Sequence, residues 1–254
     1  MKVKSLMTKP VVTVRRKVSV KEAVKKMAKK SISCVIIAEK KIPIGIFTKY
    51  DLLSLLDTGA DLNKILIESA MRTPVMPISE NSSFFDTARQ MDQMEVRRFV
   101  IVDRSQKLTG IITETDVVRN FAVTSFSYRM SLAAVAVEGF TATPKTPLKK
   151  IAHMMIDGRR SCVTIVKNSK PEGIVTQALL VKLAARYREP LKGNADSRMT
   201  KNITASSIES SVREIVMLMA KKELRHVVTV DERGRFTGTV SQRELVRHIE
   251  RSRL

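Results

Sequence analysis

Tryptophan is absent from this 254-residue chain, and only two cysteines and three histidines occur. Two thiols and scattered imidazoles make no metal-ligand spacing, so no metal site is expected. Cys34 and Cys162 sit in the similar apolar phrases "SCVII" and "SCVTI", the setting of small buried core residues. No apolar run approaches the roughly 18 residues of a membrane helix, and "LAAVAV" at 132–137 is core-sized. The opening "MKVKSLMTKP" lacks the apolar stretch of a secretory signal. The chain is therefore read as soluble and cytoplasmic. A Gly-rich phosphate loop, a zinc spacing and a nucleophile elbow are all missing, which argues against an enzyme and leaves no catalytic residue to name. His153 and His248 fall on helical patterns and read as surface or packing residues. Acid is in short supply. There are 46 Lys and Arg against 25 Asp and Glu, a formal net charge of +21. The excess is shared by the two halves of the chain, with 22 basic and 13 acidic residues in 1–127 and 24 and 12 in 128–254. Such a field draws anions: nucleotides, nucleic acid or an acidic partner.

What is present is a repeat. "GIFTKYD" at 45–51 returns as "GIITETD" at 110–116, "GIVTQAL" at 173–179 and "GTVSQRE" at 238–244. Met27, Met91, Met155 and Met219 are each 64 residues apart, as are Val20, Phe84, Leu148 and Val212. Each copy begins with a short β-prone piece: "PVVTV", "PVMPI", "EGFTA" or "NITA". A helix with one apolar face follows. Ser19 with Glu22 and Ser211 with Glu214 make capping boxes, and Ser83 with Asp86 substitutes in copy two. In copy three, Thr146 precedes Pro147 as a first helical residue. Two Val- and Ile-rich strands come next, then a second helix starting at the hydroxyl residue. The predicted unit is β-α-β-β-α, an α/β fold repeated four times.

The order of elements, the glycine-apolar-x-Thr/Ser-x-x-Asp ending and the "MTKP" and "MRTP" openings resemble the cystathionine-β-synthase (CBS) domain family. The resemblance runs over nearly the whole chain. It implies four CBS units paired through their sheets into two pseudo-twofold Bateman modules. The first would be 1–127, with copies at about 3–58 and 67–123. The second would be 128–254, with copies at about 131–188 and 195–252, and a linker near "TSFSYRMSLA". The four-repeat gamma subunit of AMP-activated protein kinase has the same architecture.

Thr48 and Asp51 lie at a strand-to-helix junction, where a hydroxyl and an acid three residues on can simply cap the helix. The same geometry can bind a nucleotide. A first-turn acid accepts from ribose hydroxyls, and a helix N-terminus holds phosphate. The family resemblance implies that second role for Thr48 and Asp51 and for Thr113 and Asp116. Copy three has Thr176 but Leu179 in the acid's place, so its ribose contact should be missing. Copy four has Ser241 and Glu244, one methylene longer. Thirteen residues before the motif glycines stand Ile32, Arg97, Arg160 and Arg225, followed by Ser33, Arg98, Ser161 and His226. In the kinase gamma subunit, basic residues at this strand entrance grip phosphates, and Arg97, Arg98, Arg225 and His226 resemble them. The alternative is solvated strand ends in an arginine-rich chain.

The expected function is regulatory: an adenosine ligand, either AMP, ADP, ATP or S-adenosylmethionine, binds between paired copies and shifts conformation or the activity of a partner. No other cofactor is implied. A nucleic-acid binder using the +21 charge is the alternative, although three Tyr and eight Phe supply few stacking platforms. A scaffold with vestigial sites is a third reading. A regulated protein partner and a homodimer are among the expected associations.

Overall fold

The computed structural model describes residues 1–123 and 131–251. Residues 124–130, the first part of the expected linker, lie outside them. Copy one contains β1 (Thr13–Val14), α1 (Val20–Lys29), β2 (Cys34–Glu39), β3 (Ile42–Thr48) and α2 (Lys49–Asp57). A short α3 (Ile67–Ala70) leads into copy two: β4 (Pro77–Ser79), α4 (Phe84–Gln93), β5 (Arg98–Val102), β6 (Leu108–Thr113) and α5 (Glu114–Val123). Copy three has β7 (Thr141–Ala142), α6 (Leu148–Asp157), β8 (Cys162–Lys167), β9 (Lys170–Thr176) and α7 (Gln177–Arg186). Copy four has β10 (Ala205–Ser207), α8 (Val212–Lys222), β11 (His226–Val230), β12 (Phe236–Ser241) and α9 (Gln242–Arg251). Each copy forms its own three-stranded sheet, with the first strand parallel to the second and the second antiparallel to the third.

The 64-residue period is the period of the core. Met27, Met91, Met155 and Met219 are all buried, as are Val20, Phe84, Leu148 and Val212 at the first position of each first helix. Ser19, Ser83 and Ser211 accept from the third backbone N–H of their helices; of the two capping boxes expected, that of Ser211 with Glu214 is reciprocal, whereas Ser19 caps its helix without the return bond from Glu22. Pro147 departs from expectation. It is the N-cap and not the first helical residue, and it offers no side-chain cap. The Leu148 N–H bonds the carbonyl of Gly193 at 3.0 Å, as the Val20 and Phe84 N–H groups bond those of Ile65 and Met1 in the Ser-capped helices.

The chain folds into two compact units, and each takes one copy from either half. Unit 1 comprises Met1–Pro10, Met76–Gly139 and Thr204–Leu254, and so holds copies two and four. Unit 2 comprises Val11–Val75 and Phe140–Ile203, and holds copies one and three. In unit 2, α7 lends Val181 and Ala184 to the core of copy one, and α2 lends Leu53 to that of copy three. Fully burying one such leucine stabilises by about 1.5–3 kcal/mol. In unit 1 a single core joins Phe84, Met91 and Val118 of copy two to Val212, Met219 and Val246 of copy four. Two ion pairs follow the same internal symmetry, Arg119 with Glu223 and Arg247 with Glu95.

The opening segment of each copy lies on a different copy. In unit 1, Thr8 pairs with Ile111 of β6 and Val137 with Thr239 of β12. In unit 2, Arg72 pairs with Ile46 of β3 and Thr200 with Ile174 of β9. Copies one and two thus exchange openings, and so do three and four. This accounts for the motif glycine. A Cβ at Gly45, Gly110 or Gly173 would overlap the sulfur of Met71, Met7 or Met199, the methionine of the visiting segment. At Gly238 the backbone carbonyl of Val137 takes that place, 2.8 Å from where a Cβ would sit.

Candidate functional site

Each strand entrance is tied to the start of the second helix of its copy. The first helical N–H donates to a carbonyl at the entrance: Lys49 to Ser33, Glu114 to Arg97, Gln177 to Ser161 and Gln242 to Arg225, at 3.0–3.2 Å. These bonds set the register. Ser33, Arg97, Ser161 and Arg225 are equivalent, and so are Cys34, Arg98, Cys162 and His226, which pair across the hairpin with Thr48, Thr113, Thr176 and Ser241. Counting back thirteen residues from the glycine crosses a hairpin that is one residue longer in copies two and four, and therefore misplaces Ile32 and Arg160 by one. Counting forward from the core methionines avoids the error. The entrance thus reads Ser-Cys in unit 2 and Arg-Arg or Arg-His in unit 1.

At the helix starts the hydroxyl and the acid clasp one another. Asp51 Oδ2 accepts from Thr48 N (2.8 Å) and Thr48 Oγ1 (2.6 Å), and Asp51 N donates back to Thr48 Oγ1. Asp116 Oδ2 accepts from Thr113 N (2.8 Å) and Thr113 Oγ1 (2.7 Å). Glu244 keeps the pattern in copy four, accepting from Ser241 N at 2.9 Å and from the Ser241 hydroxyl. In copy three, Thr176 still accepts from Leu179 N at 3.1 Å, but Leu179 turns to the core. Capping is therefore present at all four sites, and an acid at three.

The second carboxylate oxygen distinguishes the sites. Asp116 Oδ1 accepts from Thr8 Oγ1 at 2.9 Å, whereas Asp51 Oδ1 accepts from Arg72 Nε at 2.6 Å. Both partners come from visiting openings. Neither was predicted, since the "MTKP" and "MRTP" phrases signalled only the repeat. A carboxylate offers about four acceptor directions. With three donors on each, one direction is left on Oδ1.

Unit 1 gathers eight of the ten predicted site residues: Arg97, Arg98, Thr113, Asp116, Arg225, His226, Ser241 and Glu244. Thr48 and Asp51 lie in unit 2. Within unit 1 the starts of α5 and α9 meet, and Thr115 Oγ1 donates to Gln242 Oε1 at 2.7 Å. Two helix N-termini with their partial positive charge converge there. Glu114 and Arg243 join Arg97, Arg98 and Glu244 in one electrostatic cluster. Burial lowers the Arg97 pKa, and Glu114 opposes that shift. Burial raises the Glu114 carboxyl, against the pull of Arg97 and Arg98. Glu114 and Arg243 lie inside the repeated phrases at 110–116 and 238–244, but at positions where the four copies differ, so the repeat gave no signal for them.

A family model for the CBS domain matches residues 3–58, 67–123 and 195–251, and so matches copies one, two and four. An uncharacterised protein of Methanopyrus kandleri is 33% identical over 88 residues, which is 34% of this chain and 45% of that protein. The chain thus spans less than half of that relative's length. An uncharacterised protein of Methanocaldococcus jannaschii is 19% identical over 231 residues, 81% of this chain and 82% of that one. The crystal structure of that protein, described as a candidate archaeal homologue of g-AMPK, matches with a TM-score of 0.89 at 18% identity, over 98% of this chain and 100% of the other. An uncharacterised conserved protein from Pyrococcus horikoshii matches with a TM-score of 0.66 at 20% identity, over 98% and 100%. At these identities the structural matches establish the fold. Among the described residues, no helix is long and apolar enough to cross a membrane.

Proposed function

Since the chain belongs to the CBS-domain family, we propose that it is a regulatory sensor of adenosine ligands. Copy three counts as a fourth CBS repeat, because it has the strand order, the buried methionine and the exchanged opening of the other three. The modules are 1–127 and 128–254, and the exchange of openings within each pair supports that grouping. One observation carries the reading. Two helix starts, each with a hydroxyl and an acid, lie in unit 1 beside strand entrances that both carry basic residues. The helix starts suit ribose and phosphate, and Arg97, Arg98, Arg225 and His226 supply the countercharge. The ligands are AMP, ADP, ATP or S-adenosylmethionine. Binding favours one arrangement of the copies over another and so biases a protein partner or the assembly of the chain itself in the cytoplasm. The chain acts by binding, not by catalysis.

The test is a thermal-shift and calorimetry panel of these four ligands on the parent and on Asp116→Ala. A ligand at 100 times its Kd should stabilise the parent by about 2.7 kcal/mol. Asp116→Ala should weaken that ligand while costing about 1 kcal/mol in lost capping. Unchanged affinity in the variant would leave Asp116 as a cap alone.

A second reading, contact with the backbone of a polyanion, rests on charge. Unit 2 carries 26 Lys and Arg against 10 Asp and Glu, and unit 1 carries 20 against 15. Unit 2 therefore holds +16 of the +21.

A further inference from the structure

We propose that Arg72 is the specificity-determining residue of the Asp51 site. It admits phosphorylated adenosine ligands and disfavours neutral and cationic ones. The inference rests on the reading of Asp51 as a ribose acceptor and narrows its ligand.

The position is set by the backbone. Met71 sits over Gly45, and Arg72 and Ile46 exchange two backbone hydrogen bonds of 2.8 and 3.0 Å. The Cα of Arg72 is thereby fixed beside the start of α2. Its side chain turns to that helix start, where Nε donates to Asp51 Oδ1 at 2.6 Å and the guanidinium lies 5.5 Å from the Tyr50 ring centroid. Asp51 is 10% exposed and Arg72 is 60% exposed. The acid cannot leave, because its other oxygen closes the cap, but the arginine can swing into solvent. The equivalent position holds Thr8 over Asp116, Thr200 over copy three and Val137 over copy four, all uncharged.

The consequence for a ligand follows from the donors. A ribose diol needs both acceptor directions of Asp51 Oδ1, so it must displace a charge-assisted hydrogen bond. Adenosine offers nothing in return for the released guanidinium. S-adenosylmethionine puts a sulfonium cation at the 5′ carbon, where a nucleotide has its phosphate, and holds its carboxylate three carbons beyond the sulfur. A nucleotide phosphate offers two or more oxygens that match the arginine fork, so the released Arg72 is captured again. At Asp116 a ribose displaces only a threonine hydroxyl, which can rotate and accept as well as donate. The Asp51 site therefore reads the charge of its ligand through Arg72, and the Asp116 site does not do so through Thr8.

The experiment isolates the Asp51 site in an Asp116→Ala/Glu244→Ala background. Arg72→Thr, the residue found at two of the three equivalent positions, and Arg72→Lys are then compared by calorimetry with AMP, adenosine and S-adenosylmethionine. In the Arg72 background AMP should bind at least about tenfold more tightly than the other two. Arg72→Thr should tighten adenosine and S-adenosylmethionine by about tenfold and should not tighten AMP. Arg72→Lys should keep the exclusion of S-adenosylmethionine. Equal tightening of all three by Arg72→Thr would make Arg72 a plug without selectivity, and unchanged ratios would give it no role. Either result overturns the inference while leaving Asp51 a ribose acceptor. Binding that survives Asp51→Ala, or no binding of any ligand, overturns the underlying reading and the inference with it.

Discussion

Glu114 shows how little a single residue's type says about its role. It follows the motif hydroxyl Thr113, and its equivalents are Lys49, Gln177 and Gln242. Burial raises its pKa while Arg97 and Arg98 pull it down. A raised carboxyl pKa means that the folded state holds the proton more tightly than the unfolded chain does. This contribution is fully present below the unfolded pKa and is lost as pH rises through the folded one. Thermal midpoints of the parent should therefore fall relative to those of Glu114→Gln as pH climbs above the ordinary glutamate range. A flat difference between the two across that window would refute the assignment. Asp51, Asp116 and Glu244 were legible as caps and as ligand candidates, because the spacing from hydroxyl to acid is local. Arg72 and Thr8 were not, because they reach the acids from 21 and 108 residues away. No short-range pattern carries that information.

At the scale of elements, the order β-α-β-β-α, the helix faces and three of the four first-helix caps could be read directly, since each depends on residues within one or two turns. The destination of the opening segments could not. "PVVTV" and "PVMPI" are β-prone, yet only Thr13–Val14 and Pro77–Ser79 become strand, and the residues before them leave for a neighbouring hairpin. In three of the four copies the motif glycine is the seat of a methionine from a visiting opening. Gly110→Ala should thus destabilise the fold by about 1–3 kcal/mol through overpacking against Met7. Combined with Met7→Ala it should cost less than the two single changes together, as expected of residues in contact. Denaturant midpoints of the four proteins close this cycle. Strict additivity would mean that Met7 and Gly110 do not touch.

At the scale of the whole molecule, charge is divided by copy and not by half. The two halves carry similar excesses, so the sequence taken in order conceals a difference of +16 against +5. The kind of base differs too: unit 2 has 18 Lys and 8 Arg, and unit 1 has 6 Lys and 14 Arg. Lysine is a solvated point charge, whereas arginine makes the geometric grip of a phosphate site. Binding of duplex nucleic acid should accordingly fall steeply with salt and ignore Asp116→Ala. It should drop when the exposed Lys25, Lys26 and Lys29 of α1 are all changed to Glu. Gel-shift titrations at low and physiological salt measure this, and binding indifferent to the triple change would remove α1 from the contact. The exchanged openings bear on modularity. A 64-residue copy cut from the chain would carry a flap shaped for another copy and would leave its own glycine bare. The piece that can be duplicated in a gene or transplanted in a design is therefore two consecutive copies. Alternate copies resemble each other accordingly: one and three share the short hairpin and the Ser-Cys entrance, and two and four share the long hairpin and the basic one.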